Sequence, residues 1–349
     1  MKTFHCSHCQ ALVFFENVGC LVCGQGLAYL PDQSRMQAFD PAATEVVPGY
    51  RLCSNYIAEQ VCNWAVPVAD GNPLCESCRL TRVIPDLAQT GNREVWYRLE
   101  RAKRRLLYTV QGLRLPVTPK VDRGDAGLAF EFLHDFVVGG DAGRVMTGHD
   151  NGLITVNAAE ADDVRREQQR QLQHEPYRTL IGHFRHEIGH YYWDRLIAGR
   201  AGLEEFRKLF GDERAEYSSA VQKHYQNGPP ADWQNAHVSA YASCHPWEDW
   251  AETWAHYLHM VDALETAGAA GLTIRPRRPD EPQLNRPMNP LKQEHPDFAR
   301  MMEAWMPLAY VMNNLSRSLG QPDSYPFVLS PAVIGKLGFV HATVFALHQ

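Results

Sequence analysis

Residues 183–194 contain an H-E-x-x-H motif, a spacing that is typical of zinc hydrolases. His186 and His190 are four positions apart, so on a helix both imidazoles project from one face and can bind one zinc ion. Glu187 lies beside them and is placed to act as general base towards an attacking water. Gly189 is expected to leave space beside the metal. The motif predicts metal-assisted hydrolysis, and the alternative is a pair of solvent-facing histidines.

A catalytic zinc needs a third protein ligand and an open fourth position. Leu196 stands where the third histidine of an H-E-x-x-H-x-x-G-x-x-H pattern would be. Residues 245–259 offer another solution, because on a helix their tryptophans form one face and their polar residues another. The polar residues are Glu248, Glu252, His256 and His259. We predict Glu248 as the third ligand.

Two residues of the same segment are predicted to support the ligands. Glu252 follows Glu248 by one helical turn and would hydrogen-bond a ligand imidazole, which fixes the orientation of the ring. His256 follows by one further turn and is predicted to belong to the same supporting shell. The alternative for Glu252 is an ordinary surface carboxylate.

Eight of the nine cysteines precede residue 80. A C-x-x-C pair forms a tight turn that directs two thiolates at one metal, and four thiolates make a closed, structural zinc site. The first predicted site comprises Cys6, Cys9, Cys20 and Cys23. The second predicted site comprises Cys53, Cys62, Cys75 and Cys78. Interleaving between the two groups stays open, as does a role for Cys53 and Cys62 as ordinary buried thiols.

The charge distribution argues against nucleic acid as a partner. The chain has a formal net charge of −6, and residues 1–80 hold four basic and seven acidic residues. Residues 81–120 hold nine basic and three acidic residues, mostly on one predicted helix. We interpret that helix as a solvated face or as docked on the acidic cysteine modules. The start of the chain lacks the apolar core of a signal peptide and no apolar run is long enough for a membrane span, so we expect a cytoplasmic protein.

The elements that must position these residues follow from periodicity and from breaker residues. Predicted helices cover residues 93–111, 160–172, 176–197, 246–266 and 296–318, and residues 203–226 are largely helical. Predicted strands cover residues 126–133 and 152–157. The predicted modules are a zinc ribbon at 1–30, a second four-cysteine module at 49–85, a linking basic helix at 86–118 and an α+β domain at 119–349.

The two long motifs make a family resemblance specific. An H-E-x-x-H helix followed by a helix with a Glu and a second acidic residue four positions later resembles the gluzincin metallopeptidases. Residues 177–194, residues 245–253 and the two cysteine modules together resemble a bacterial family of zinc-binding metallopeptidases with an N-terminal zinc ribbon. The resemblance covers nearly the whole chain. One departure is Glu252, since many gluzincins have Asp at that position.

The resemblance implies a fold and a chemistry. Residues 119–349 are expected to form a zincin-like metallopeptidase domain, mostly helical with a small sheet. Some gluzincins place a tyrosine about two turns before the Glu ligand, which makes Tyr241 the candidate donor to the developing oxyanion. His245 and His256 are rivals, and a packing role for Tyr241 is equally open. In zincins an edge strand binds the substrate backbone, and residues 152–157 are the expected edge.

The expected function is zinc-dependent peptide-bond hydrolysis with one catalytic and two structural zinc ions. The expected partners are a peptide or protein substrate and a protein bound through the ribbons. One alternative is a ribbon adaptor or metal sensor with an inactive zincin domain. A second is an amidase that acts on a non-peptide amide with the same ligands.

Overall fold

The computed structural model describes residues 1–43, 45–138, 141–172 and 175–347. The chain forms two compact units. The first comprises residues 1–111 and 116–173, and the second comprises residues 112–115 and 174–349. The strands expected near residue 130 and residue 155 therefore belong to the same unit as the cysteine modules, and a domain boundary at residue 119 stays a prediction. None of the described helices has both the length and the apolar composition of a membrane span.

Short antiparallel hairpins build the cysteine modules of the first unit. Strand β1 (Phe4–His5) pairs with β2 (Leu12–Val13), β3 (Gly26–Leu30) with β4 (Arg35–Phe39), and β5 (Tyr50–Leu52) with β6 (Ala65–Pro67). A short helix, α1 (Ser54–Ile57), lies between β5 and β6. Buried rings join the modules, since the ring centroids of Phe15 and Tyr29 are 4.8 Å apart and those of Tyr29 and Trp64 are 5.2 Å apart. This aromatic core and the thiols take the place of a larger hydrophobic core.

The remainder of the first unit combines one long helix with a small sheet. Its further elements are β7 (Thr81–Val83), α2 (Asn92–Gly112), α3 (Lys120–Arg123), β8 (Ala129–Leu133), β9 (Phe136–Val138), β10 (Asp141–Gly143), β11 (Gly148–Asp150), β12 (Leu153–Asn157) and α4 (Asp163–Leu172). Strands β9 and β10 form a separate hairpin. The four-stranded sheet has the order β11-β12-β8-β7, in which β8 is parallel to both neighbours.

The predicted edge strand is not an edge. Strand β12 has β11 on one side and β8 on the other, so the expectation that residues 152–157 bind a substrate backbone is wrong. Ile154 and Val156 are fully buried, and this alternation correctly marks a strand. Alternation reports which face is buried and carries no information on which neighbours the strand has.

The basic helix α2 packs on the cysteine modules, one of the two predicted alternatives. The Arg104 side chain is buried and donates to the carbonyl oxygen of Val61 over 2.7 Å. Arg105 forms an ion pair with Glu16 of the first module. Lys103 is fully buried and lies 2.9 Å from Glu100. Arg104 and Arg105 therefore attach α2 to the cysteine modules.

The second unit is helical. Its helices are α5 (Leu180–Leu196), α6 (Leu203–Phe210), α7 (Tyr217–Asn227), α8 (Pro246–Ala269), α9 (Phe298–Ser318) and α10 (Pro331–Ala346). Thr179 caps α5 by accepting from the Gly182 amide, and His245 caps α8, with Pro246 at its first position. Helix α8 is the buried centre of the unit and packs against α5. The prediction of a mostly helical α+β chain with small sheets is confirmed.

Candidate metal centre

Three side chains from α5 and α8 converge on one point. The Nε2 atoms of His186 and His190 lie 3.2 Å apart. The Oε2 atom of Glu248 lies 2.9 Å from Nε2 of His186 and 3.5 Å from Nε2 of His190. The first two residues come from one face of α5, and the third comes from the first turn of α8. Each offers a lone pair to the same small volume.

These distances fit a tetrahedral zinc ion. Zinc bonds of about 2.0–2.1 Å to nitrogen and oxygen place neighbouring ligand atoms about 3.3 Å apart. Glu248 is 1 % exposed, and apart from the two imidazole nitrogens its Oε2 atom has no hydrogen-bond partner among the described residues. A buried carboxylate oxygen without a donor is costly unless a cation satisfies it. The donor set of two imidazoles and one carboxylate is the set that leaves a fourth zinc position open.

A second layer of hydrogen bonds holds two of these side chains. Nδ1 of His186 donates to Oε1 of Glu252 over 2.7 Å, which turns Nε2 towards Glu248. The other carboxylate oxygen of Glu252 accepts from the Ser239 hydroxyl over 2.6 Å. On the opposite side, the Tyr217 hydroxyl donates to Oε1 of Glu248 over 2.6 Å.

Glu187 and Glu248 differ in the direction of their pKa shifts. Burial raises the pKa of Glu187, and the neighbouring His186 and His190 oppose that effect without cancelling it. Burial also raises the pKa of Glu248, but His190 and His186 lower it by more, so the net pKa is well below the usual range. Glu248 is therefore anionic as a ligand must be, whereas Glu187 has a greater affinity for a proton.

Close helix packing explains why the ligands meet. Gly189 lies between the two histidines, and a Cβ there would be 3.0 Å from Cα of Ala251 and 3.2 Å from Cβ of Trp254. The Gly189 carbonyl accepts from the Trp250 indole over 2.9 Å. The expectation that this glycine leaves space beside the metal is corrected, because the missing side chain instead lets α8 approach α5.

The structure places the other predicted residues as follows. Tyr241 lies in a 3-10 turn, Tyr241–Cys244, with its ring centroid 6.0 Å from that of His186. His256 shares a hydrogen bond of 2.8 Å with the Tyr325 hydroxyl, and its predicted support of a ligand stays a prediction. His245 is occupied as the cap of α8 and as donor to the carbonyl of Ala215 over 3.1 Å.

The eight N-terminal cysteines form two groups of four. In the first, Sγ of Cys6 lies 3.7 Å from that of Cys23, and Sγ of Cys9 lies 3.6 Å from that of Cys20. In the second, Sγ of Cys62 and Sγ of Cys75 are 3.7 Å apart. Zinc–sulphur bonds of about 2.3 Å require about 3.8 Å between sulphurs of a tetrahedral site, so both groups fit zinc. The second group is completely buried, whereas Cys9 and Cys23 of the first are partly exposed.

Comparison with known proteins agrees with this geometry. A family model described as "putative zinc-binding metallo-peptidase" matches residues 92–343, and a zinc-ribbon domain model matches residues 3–89. The chain belongs to this zinc-binding metallo-peptidase family. Uncharacterized proteins of Mycobacterium tuberculosis and Mycobacterium bovis are 43% identical over 349 residues, which covers 99% of this chain and 95% of each relative. No solved structure is significantly similar to the chain.

Two hydrogen-bond donors at the centre of this metallo-peptidase family member could not be predicted from a local sequence pattern. Tyr217 precedes Glu248 by 31 residues, and Ser239 precedes Glu252 by 13 residues. Both come from segments between the two motif helices, where a tyrosine or a serine is unremarkable. Chemistry alone indicates that such donors exist, because a buried carboxylate at a metal centre needs a hydrogen-bond donor for its second oxygen.

Proposed function

We propose that the chain hydrolyses peptide bonds with a zinc ion held by His186, His190 and Glu248. The observation that carries the proposal is the convergence of two Nε2 atoms and one carboxylate oxygen at zinc-ligand spacing. Glu187 follows His186 directly and is buried at the same centre. A closed structural site would gain nothing from this extra buried carboxyl.

The reaction divides between the metal and the chain. Zinc, when bound, supplies a Lewis acid that activates water and polarises the carbonyl. Glu187 accepts the proton of the attacking water and passes it to the leaving nitrogen. Glu252 keeps His186 in the tautomer with a free Nε2 lone pair. Tyr241 is our candidate donor to the carbonyl oxygen as it becomes negative, because its ring lies next to His186.

Two structural zinc ions complete the proposed set of cofactors, one in each four-cysteine group. The eight grouped cysteines must stay reduced to bind zinc, and an oxidising compartment would favour disulfides between them. We therefore place the protein in the cytoplasm. The substrate class is peptides or proteins, and a flexible, unstructured peptide is the first substrate to test.

A conservative substitution tests the role of Glu187. Glu187→Gln keeps the shape of the side chain and removes the base, so zinc content is expected to stay unchanged while hydrolysis falls by about 100-fold or more. The readouts are metal analysis and digestion of a peptide library. Glu303→Gln is the matched control, because Glu303 is an exposed residue of α9.

Three results would contradict the proposal. Equal activity of wild type and Glu187→Gln would place the chemistry outside this centre. A wild type that binds zinc at His186, His190 and Glu248 but cleaves neither peptides nor other amides would favour a ribbon adaptor or metal sensor. Cleavage of non-peptide amides alone would favour the amidase.

A further inference from the structure

The carboxylate of Glu248 has two oxygens in different surroundings. Oε2 faces the imidazoles of His186 and His190, and Oε1 accepts a hydrogen bond of 2.6 Å from the hydroxyl of Tyr217. One oxygen is therefore reserved for a hydrogen bond and the other is left for a metal.

Tyr217 is fixed in place by contacts at the start of α8. Its ring centroid lies 5.3 Å from that of His245 and 6.0 Å from that of Trp247. His245 caps α8 and also donates to the carbonyl of Ala215, two residues before Tyr217. The first turn of α7 is thus tied to the first turn of α8, the turn that carries Glu248.

We propose that Tyr217 is a positioning residue that commits Glu248 to bind zinc through Oε2 alone. A carboxylate can bind zinc through one oxygen or through both, and the second mode would occupy the coordination position that water or substrate needs. A hydrogen bond to Oε1 opposes the second mode and also keeps the carboxylate from rotating. This inference rests on the proposed zinc site and does not require that the substrate be a peptide.

The test compares Tyr217→Phe with wild type in the full-length chain. The substitution removes the hydroxyl and keeps the ring, so the packing against His245 and Trp247 is retained. The matched control is Tyr225→Phe, which removes a hydroxyl from a residue of the same helix that is 61 % exposed. Zinc affinity of the His-His-Glu site is measured by competition with a chelator while the cysteine groups stay loaded. We expect about 10-fold to 100-fold weaker binding for Tyr217→Phe and no change for Tyr225→Phe.

A spectroscopic readout separates positioning from a general loss of structure. Cobalt is exchanged into the His-His-Glu site alone, which is verified by the absence of thiolate-to-cobalt charge-transfer absorption. Four-coordinate cobalt absorbs more strongly in the visible than five-coordinate cobalt, so Tyr217→Phe is expected to weaken that absorption.

The outcomes keep this inference apart from the peptidase proposal. Unchanged zinc affinity and an unchanged cobalt spectrum in Tyr217→Phe overturn the role of Tyr217, even if the wild type is an active peptidase. If Tyr217→Phe shows the expected metal effects and the wild type hydrolyses nothing, the role of Tyr217 is supported and the peptidase proposal is contradicted.

Discussion

Two carboxylates one helical turn apart on α8 have different tasks at the metal centre. Glu248 presents Oε2 to the two imidazoles, whereas Glu252 accepts from Nδ1 of His186 and so acts through that ring. The difference follows from position along the helix, because a step of four residues shifts a side chain by about 6 Å along the axis. Substitutions of Glu248 and of Glu252 should therefore impair zinc binding in different ways.

Replacing Glu248 should remove the metal from this site alone. Glu248→Ala is expected to lower zinc content by about one ion per chain and to abolish hydrolysis, because two imidazoles without a third ligand bind zinc weakly. Atomic emission spectroscopy of the purified protein measures the content. Glu303→Ala serves as control. Unchanged zinc stoichiometry in Glu248→Ala would mean that the third ligand lies elsewhere.

Replacing Glu252 should weaken the site without emptying it. Glu252→Gln retains one oxygen as acceptor but removes the charge, so zinc affinity is expected to fall by about 10-fold to 100-fold. Ser239→Ala removes only the donor to the other oxygen and is expected to have a smaller effect. Chelator competition measures both. Identical affinities for wild type and Glu252→Gln would leave the 2.7 Å hydrogen bond to His186 without a role in metal binding.

At the scale of elements, the packing of α5 against α8 depends on a glycine. Gly189→Ala would place a methyl group 3.0 Å from Cα of Ala251 and 3.3 Å from its carbonyl oxygen, and backbone atoms have little room to move. We expect a loss of about 1–3 kcal/mol in the free energy of unfolding and weaker zinc binding, measured by urea denaturation and chelator competition.

The matched control for that substitution lies on α10. A Cβ at Gly335 would meet no heavy atom of the described residues within 4 Å, so Gly335→Ala is expected to stabilise the protein by about 0.5–1 kcal/mol through helix propensity. Equal effects of the two substitutions would contradict the role assigned to the close approach at Gly189.

Local sequence patterns predicted much of the second unit. They could not predict contacts between segments that are distant in the sequence. The spacing of His186 and His190 and the composition of residues 245–259 are readable because a helix repeats every 3.6 residues. The pairing of Tyr217 with Glu248 joins two segments with no common period. The neighbours of β12 were mispredicted for a related reason, since strand order is set by the path of the whole chain.

At the scale of the whole molecule, charge balance around the second cysteine group is the main electrostatic problem. Four thiolates and one zinc ion carry a formal charge of about −2, and all four cysteines are buried. Arg104 is buried beside them, where burial lowers its pKa but the Cys62 thiolate and Glu100 raise it by more. The guanidinium therefore stays charged and offsets part of the negative charge.

Replacing that arginine should destabilise the whole first unit. Arg104→Met leaves the buried thiolates without their counter-charge, so we expect a loss of about 3–5 kcal/mol in the free energy of unfolding. The loss is measured as the release of zinc at a lower urea concentration than in the wild type. Arg101→Met, an exposed residue of the same helix, is the control. Zinc release at the same urea concentration in Arg104→Met and wild type would contradict this assignment.

The three proposed metal sites should also differ in how readily they release zinc. We expect about three zinc ions per chain, of which a mild chelator removes about one, because an open three-ligand site exchanges faster than a closed thiolate site. Metal analysis before and after treatment provides the count. A gently purified wild type without bound metal would contradict the whole scheme.

The parallel pairing of β7 with β8 sets a limit on how this protein could have been assembled from parts. Strand β7 lies within the zinc-ribbon match at residues 3–89, and β8 lies within the metallo-peptidase match at residues 92–343. The border between the two family matches therefore passes through a single sheet. A descendant that lost its ribbon would leave the backbone amides and carbonyls along one side of β8 unpaired, and such an edge invites pairing with a second chain. Ribbon and peptidase should consequently be gained and lost together.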